Sequence, residues 1–152
     1  LKVAVIPGLD VFGNYTWMQS AFDSTGVDCN NFLYAGNTFA RAPEHSFSAG
    51  FSAKARIVQK LWFFATPWYA WQSHFWFTET NTAGLDQQAY GILNINFGLE
   101  MADPDLVLSI YGTNLLEEKY ISSAGHWGGQ FGIPTFVPGP PQMVGVSVTW
   151  KF

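Results

Sequence analysis

Read by polarity alone, the stretch from Met143 to Phe152 alternates. Val144, Val146, Val148, Trp150 and Phe152 fall on one face of an extended strand, and Gly145, Ser147, Thr149 and Lys151 on the other. Ser46 to Ile57 repeats the pattern, with Phe47, Ala49, Phe51, Ala53, Ala55 and Ile57 opposite Ser46, Ser48, Gly50, Ser52, Lys54 and Arg56. Tyr90 to Met101 sets Leu93, Ile95, Phe97, Leu99 and Met101 against Asn94, Asn96, Gly98 and Glu100. Asp105 to Asn114 and Trp68 to Thr78 predict two more strands, the latter with Tyr69, Trp71, Phe75 and Phe77 opposite Gln72, His74 and Thr78. Asp10 to Phe22 is a weaker strand, because Phe12 and Met18 sit among its polar positions, and Leu1 to Ile6 reads as the end of another. The fold class expected is all-β and antiparallel, with about six to seven strands of roughly ten residues or more.

That length separates two kinds of sheet. Strands of soluble proteins average about 5 to 6 residues, whereas tilted strands that cross a bilayer need about 9 to 11. Asp10, Lys54, Arg56, Glu100, Asp105 and Lys151 all fall on the less apolar faces, as expected where a charge facing lipid costs about 2 to 4 kcal/mol at mid-membrane. The connections differ in kind as well. Pro7-Gly8-Leu9 and Ala102-Asp103-Pro104 read as tight turns, while Asp23 to Glu44, Glu79 to Gln88 and Leu115 to Pro141 read as long loops. Short turns on the periplasmic side and long outer loops are the asymmetry of a transmembrane β-barrel. A further short turn belongs somewhere in Gln59 to Phe64, where the apolar run Leu61-Trp62-Phe63-Phe64 hides its boundary.

Composition agrees with a membrane wall. Charged residues make up only 12% of the 152 residues, against about 25% in soluble domains, and aromatic residues make up 18%. No uninterrupted apolar run of about 18 residues exists, so a membrane reading requires strands. A net charge of -4 without any basic run gives nucleic acid no electrostatic footprint. Cys29, the single cysteine, has no intrachain partner and lies in the polar stretch Asp28-Cys29-Asn30-Asn31. The chain starts at Leu1 without a signal-peptide pattern and is expected to be mature or truncated. Six strands and a piece do not close a barrel, so a C-terminal part of a longer protein is expected; the alternative is a complete eight-stranded barrel with strands merged near Leu61.

Little in the chain suggests catalysis. His45, His74 and His126 lack metal-site spacing, and no metal or cofactor is expected. Glu117-Glu118 are neighbours in a loop beside Lys119, which points to a solvated charge cluster rather than a glycosidase pair. Ser122, Ser123 and His126 come with no positioned acid or oxyanion device. The better candidates are a polar wall of Gln72, His74, Asn94, Asn96 and Glu100 lining the barrel lumen, and His126-Trp127 in a glycine-rich outer loop that could meet a ligand.

Several segments resemble one family. Gly36-Asn37-Thr38 followed by Ala42-Pro43-Glu44 looks like the passage from loop to strand late in the barrel of TonB-dependent outer-membrane receptors. Thr113-Asn114-Leu115-Leu116-Glu117-Glu118-Lys119-Tyr120 is similar to the family's Asn-Leu, acidic, Tyr segment, and Pro138-Gly139-Pro140-Pro141 before a last strand ending on Phe152 resembles its closing segment. Gln142 departs from the Arg usual there. The resemblance covers nearly the whole chain and implies a barrel of about 22 strands with a plugged lumen. Residues 1–152 would then be the C-terminal part of that barrel, with the plug domain and the TonB-contacting box having no counterpart here. It further implies a non-enzymatic protein of the bacterial cell outer membrane. Its partners would be outer-membrane lipid, its own plug domain, the TonB complex through the N-terminal part, and a scarce nutrient such as a ferric siderophore. Two rivals are a small complete barrel that modifies lipid, such as a lipid A deacylase, and a soluble sugar-binding β-sandwich.

Overall fold

The structure is a computed structural model that describes residues 1–25, 34–128 and 133–150. Seven strands form one antiparallel sheet in the order β1 (Lys2–Ile6), β2 (Leu9–Trp17), β3 (His45–Val58), β4 (Leu61–Gln72), β7 (Tyr90–Ala102), β8 (Asp105–Thr113) and β11 (Met143–Trp150). Every neighbour in space is also the next long strand in sequence, the up-and-down order of a barrel wall. β1 and β11 are its two edges, so the sheet is open, and a closed eight-stranded barrel is not what this chain forms. Two short ribbons, β5 (Phe75–Trp76) with β6 (Asp86–Gln87) and β9 (Ile121–Gly128) with β10 (Ile133–Pro138), lie outside that sheet.

The register turns the alternation into two faces. Lys54, Phe64, Gly98, Ser109 and Ser147 follow one another across five strands on one face, and Arg56, Trp62, Glu100, Val107 and Thr149 form the next row. On the opposite face the rows contain Ile57, Phe63, Leu99, Leu108 and Val148, with no Asp, Glu, Lys or Arg among the described strand residues. That outer face is bare: Val144, Val146 and Val148 are 67%, 64% and 65% exposed, and no second sheet packs on it among the described residues. A β-sandwich would cover those side chains with a second sheet. From Leu61 to Trp71 on β4, about ten steps of 3.3 Å at a tilt of about 40°, typical of barrel strands, would span about 25 Å of height, which matches the apolar band of outer-membrane barrels. Tyr15, Phe47, Tyr69 and Trp71 rim this band on the loop side, and Trp150 stands near the other end.

The three short connections all lie at one end. Gly8 takes a φ of +84°, and its carbonyl accepts the Lys54 amide at 2.7 Å, tying the first turn to β3. The hidden turn is Gln59-Lys60, with Lys60 at a φ of 68°. It is joined to the turn at Asp103-Pro104 by a Lys60–Asp103 ion pair of 2.6 Å. Three expected boundaries move. The Trp68 to Thr78 segment is not one strand: β4 ends at Gln72, where Ser73 turns back to bond His45, and Phe75-Trp76 pairs with β6 instead. Leu115 to Pro141 is not all loop, since it folds into the β9–β10 hairpin; its weak alternation and its Gly and Pro content mask the strands. The expected Asp10 to Phe22 strand likewise stops at Trp17. Cys29, Lys151 and Phe152 lie outside the described residues.

Candidate functional site

Two surfaces carry the side chains singled out from the sequence: the inner face of the sheet and the layer of loops above it. On the inner face the charges gather toward the short turns. Lys54 pairs with Glu100 at 2.6 Å across the intervening strand β4, and both Lys54 and Arg56 stand within 6 Å of the Trp62 ring, at 5.6 and 5.8 Å. Lys2 and Asp10 pair at 3.0 Å. Aromatic rings stand in the same rows and above: Phe12 reaches Gly50, Phe64 reaches Gly98, and Tyr111 reaches Gly145. A Cβ on Gly50 would stand 2.8 Å from Phe12 Cζ, and one on Gly98 would stand 2.9 Å from Phe64 Cζ, with the Pro67 and Leu108 carbonyls closer still, so neither position has room for a side chain. Sequence reasoning missed this inner aromatic layer because β4 is apolar at nearly every position, which erases its alternation.

Amides stand among the rings. Asn94 and Asn96 both face inward, in adjacent rows with Trp68 and Thr66. Asn94 Oδ1 accepts the Asn114 amide at 3.1 Å, whereas Asn96 Oδ1 and Thr113 Oγ1 are buried without a protein partner among the described residues. Gln72 lies across from Tyr90 at the top of the wall. Of the expected lumen residues, Gln72, Asn94, Asn96 and Glu100 thus share one face, but His74 stands beyond the end of β4 in the loop layer. There it bonds Asp86 at 3.1 Å and meets Trp76 edge-on. His126 and Trp127 fall within β9 rather than in a loop, and their side chains lie outside the described residues.

The loop layer holds the only well-buried side chains among the described residues: Phe75, Phe77, Leu85, Gln87 and Asn114. Loops from three different connections are stitched together by side-chain-to-backbone bonds. Asn81 receives the Thr38 amide at 2.8 Å and donates to the Thr38 carbonyl at 3.0 Å, and Asn37 donates to the Glu79 carbonyl at 2.9 Å. Arg41 donates to Ser123 Oγ at 2.8 Å while lying 6.0 Å from the centroid of Phe77. Gln87 accepts the Ile121 amide at 2.6 Å.

Asn114 ties two loop segments together. Its side chain accepts the Glu118 amide at 2.9 Å and donates to the Glu118 and Pro140 carbonyls at 2.9 and 3.2 Å. The Asn-Leu, acidic, Tyr segment and the Pro-rich closing segment are thereby one structural unit. Tyr120 closes it by covering Gly139 and stacking on Tyr90, with centroids 4.5 Å apart. Gln142, where the resembled family carries Arg, donates to the Leu115 carbonyl at 3.1 Å and so makes a link of its own. Glu117, Glu118, Lys119 and the Pro-rich segment line a cleft of about 440 Å³. The described residues bring no three His, Cys, Asp or Glu side chains together in a metal-binding group.

No protein-family model matches the sequence. No curated protein matches it either. Solved structures do. The ferric yersiniabactin uptake receptor FyuA from Yersinia pestis aligns over 99% of this chain and 22% of its own, at 18% identity and a TM-score of 0.85. BauA, the ferric preacinetobactin receptor from Acinetobacter baumannii, aligns over 97% of this chain and 20% of its own, at 13% identity and a TM-score of 0.69. The chain therefore spans about a fifth of the length of each receptor. An antiparallel sheet with one bare apolar face, short turns at one end and packed loops at the other has here the fold of a stretch of these two receptors.

Proposed function

We propose that the chain is the C-terminal barrel wall of a TonB-dependent receptor in the outer membrane of a Gram-negative bacterium, one that takes up a scarce nutrient such as a ferric siderophore. The observation that carries this reading is the seven-stranded open sheet, uncharged outside and longer in its loops at one end, which aligns over 99% of its length with an uptake receptor at a TM-score of 0.85. The open edges support a place in a longer barrel, because unpaired backbone in hydrocarbon costs several kcal/mol per group, which over a whole strand edge exceeds the stability of a typical domain. In that setting lipid meets Val144, Val146 and Val148, and the protein's own plug meets the inner wall.

The inner wall has the chemistry of a packed contact. The rings beside Gly50, Gly98 and Gly145 give a plug an apolar surface, with Lys54, Arg56 and Glu100 among and below them to meet its polar groups. Ligand is met by the outer loops, where His74 and the β9–β10 hairpin stand, and energised release inward comes through the TonB complex acting on the N-terminal part. The test is uptake: the full-length gene, expressed in a strain stripped of its own ferric-siderophore receptors, restores growth on at least one iron-loaded siderophore, and only while TonB is present. Growth unaffected by loss of TonB, or no rescue with any of a broad siderophore panel despite surface expression, would count against the reading.

A further inference from the structure

Three connections far apart in sequence meet in the loop layer: Met18 to Glu44, Ser73 to Ala89 and Asn114 to Gln142. Each pair of them is tied. Asn37 and Thr38 bond Glu79 and Asn81 between the first and the second, Gln87 bonds Ile121 between the second and the third, and Arg41 bonds Ser123 between the first and the third. Arg41 also reaches the second connection, since its backbone amide donates to the Trp76 carbonyl at 2.7 Å and its guanidinium lies over Phe77. Its φ of 56° is left-handed, a conformation that a residue other than glycine keeps only where its surroundings fix it. Asn81, at 47°, is held in the same way.

We propose that these three connections form one opening unit, a single lid segment at the outer mouth of the barrel. The closed circuit of ties carries the argument. With all three in place each connection is held by two legs, and one that leaves must break both; the remaining two are then held by a single leg, so the second opening is easier than the first. That is cooperative opening. Gln87, 6% exposed, adds to it, because departure of the third connection takes the Ile121 amide away from a buried side-chain oxygen. The lid role rests on the receptor reading above, whereas the opening unit rests on the ties alone. A ligand seated on one connection is thereby felt by the other two, including one that it does not touch.

Hydrogen exchange read by mass spectrometry on the full-length protein in detergent tests the unit. The peptides that carry the Arg41, Phe77 and Ile121 amides are expected to share one degree of protection in the wild type, within about threefold once intrinsic rates are removed. Asn81→Gly tolerates the left-handed backbone and removes the bonds to Thr38, and Asn81 has no hydrogen bond into the third connection among the described residues. It is expected to speed exchange at Ile121 by the same factor as at Arg41, roughly tenfold. Ser123→Ala, a milder change at an exposed bond, is expected to speed the Arg41 and Phe77 peptides about threefold. Unequal protection in the wild type, or acceleration that leaves Ile121 unchanged in Asn81→Gly or Phe77 unchanged in Ser123→Ala, overturns the unit and leaves the receptor reading standing. Recovery of the wild type from the soluble fraction would instead count against the receptor reading, and exchange on the same protein would still decide the unit.

Discussion

The wall and the loop layer of this molecule are stabilised in opposite ways. The wall exposes its large apolar side chains, from Val3 and Val11 through Phe51 and Leu99 to Val148, and keeps its charges on the other face. The loop layer buries Phe75, Phe77 and Leu85 as a water-soluble protein would, with Gln87 and Asn114 satisfying loop backbone. On the proposed membrane reading the difference says where each region finds its solvent: hydrocarbon would replace a core for the wall, and the loops, standing in water, make a small core of their own. Substitutions separate the two regions.

The largest effect is expected from a charge on the lipid face. Val146→Arg should cost about 2 to 4 kcal/mol of barrel stability and cut the amount of heat-modifiable protein in outer membranes, whereas Ser147→Arg, one residue away on the inner face, should cost well under half of that. Similar losses from the two would erase the distinction between the faces. Asn114→Ala comes next, because it strips a buried junction of three side-chain hydrogen bonds and leaves the Glu118 amide unmet, at about 2 to 3 kcal/mol. Hydrogen exchange should speed up at Glu118 and its neighbours while the amides of β7 and β8 keep their protection.

Arg41→Ala should cost about 1 to 2 kcal/mol by removing the bond to Ser123 and the contact with Phe77, and its readout is protease nicking in the loops with the wall intact. The smallest change is expected at the turn end. Lys60→Ala breaks an ion pair whose side chains are 57% and 68% exposed, and its effect on unfolding in urea should stay below about 0.5 kcal/mol.

The same contrast explains what the sequence disclosed. Strands β3 and β7 were legible because their inner positions are Ser, Gly, Asn, Lys and Glu, so that a period of two stands out against Phe, Ala, Leu and Ile. β4 is not, since Trp62, Phe64 and Trp68 put rings on the inner face too; the pairing of Trp68 with Gly50 and of Phe64 with Gly98 is information held by three strands at once. The glycines of the neighbours point to it only with the register in hand. Asn114 was noticed as part of a motif, but its role depends on Pro140, which lies 26 residues away. His74 was assigned to the lumen wall by its parity with Gln72, and parity stops carrying meaning where the strand ends.

The central claim is that the valine face of β11 meets lipid while the face one residue away meets the interior. Cysteines at Val146 and Ser147, placed one at a time in a full-length protein carrying Cys29→Ser and labelled with a small fluorophore, test it in liposomes containing lipids with nitroxide-bearing chains. The account predicts strong quenching at position 146 and little at position 147. Equal quenching at the two positions, or stronger quenching at 147, would contradict it.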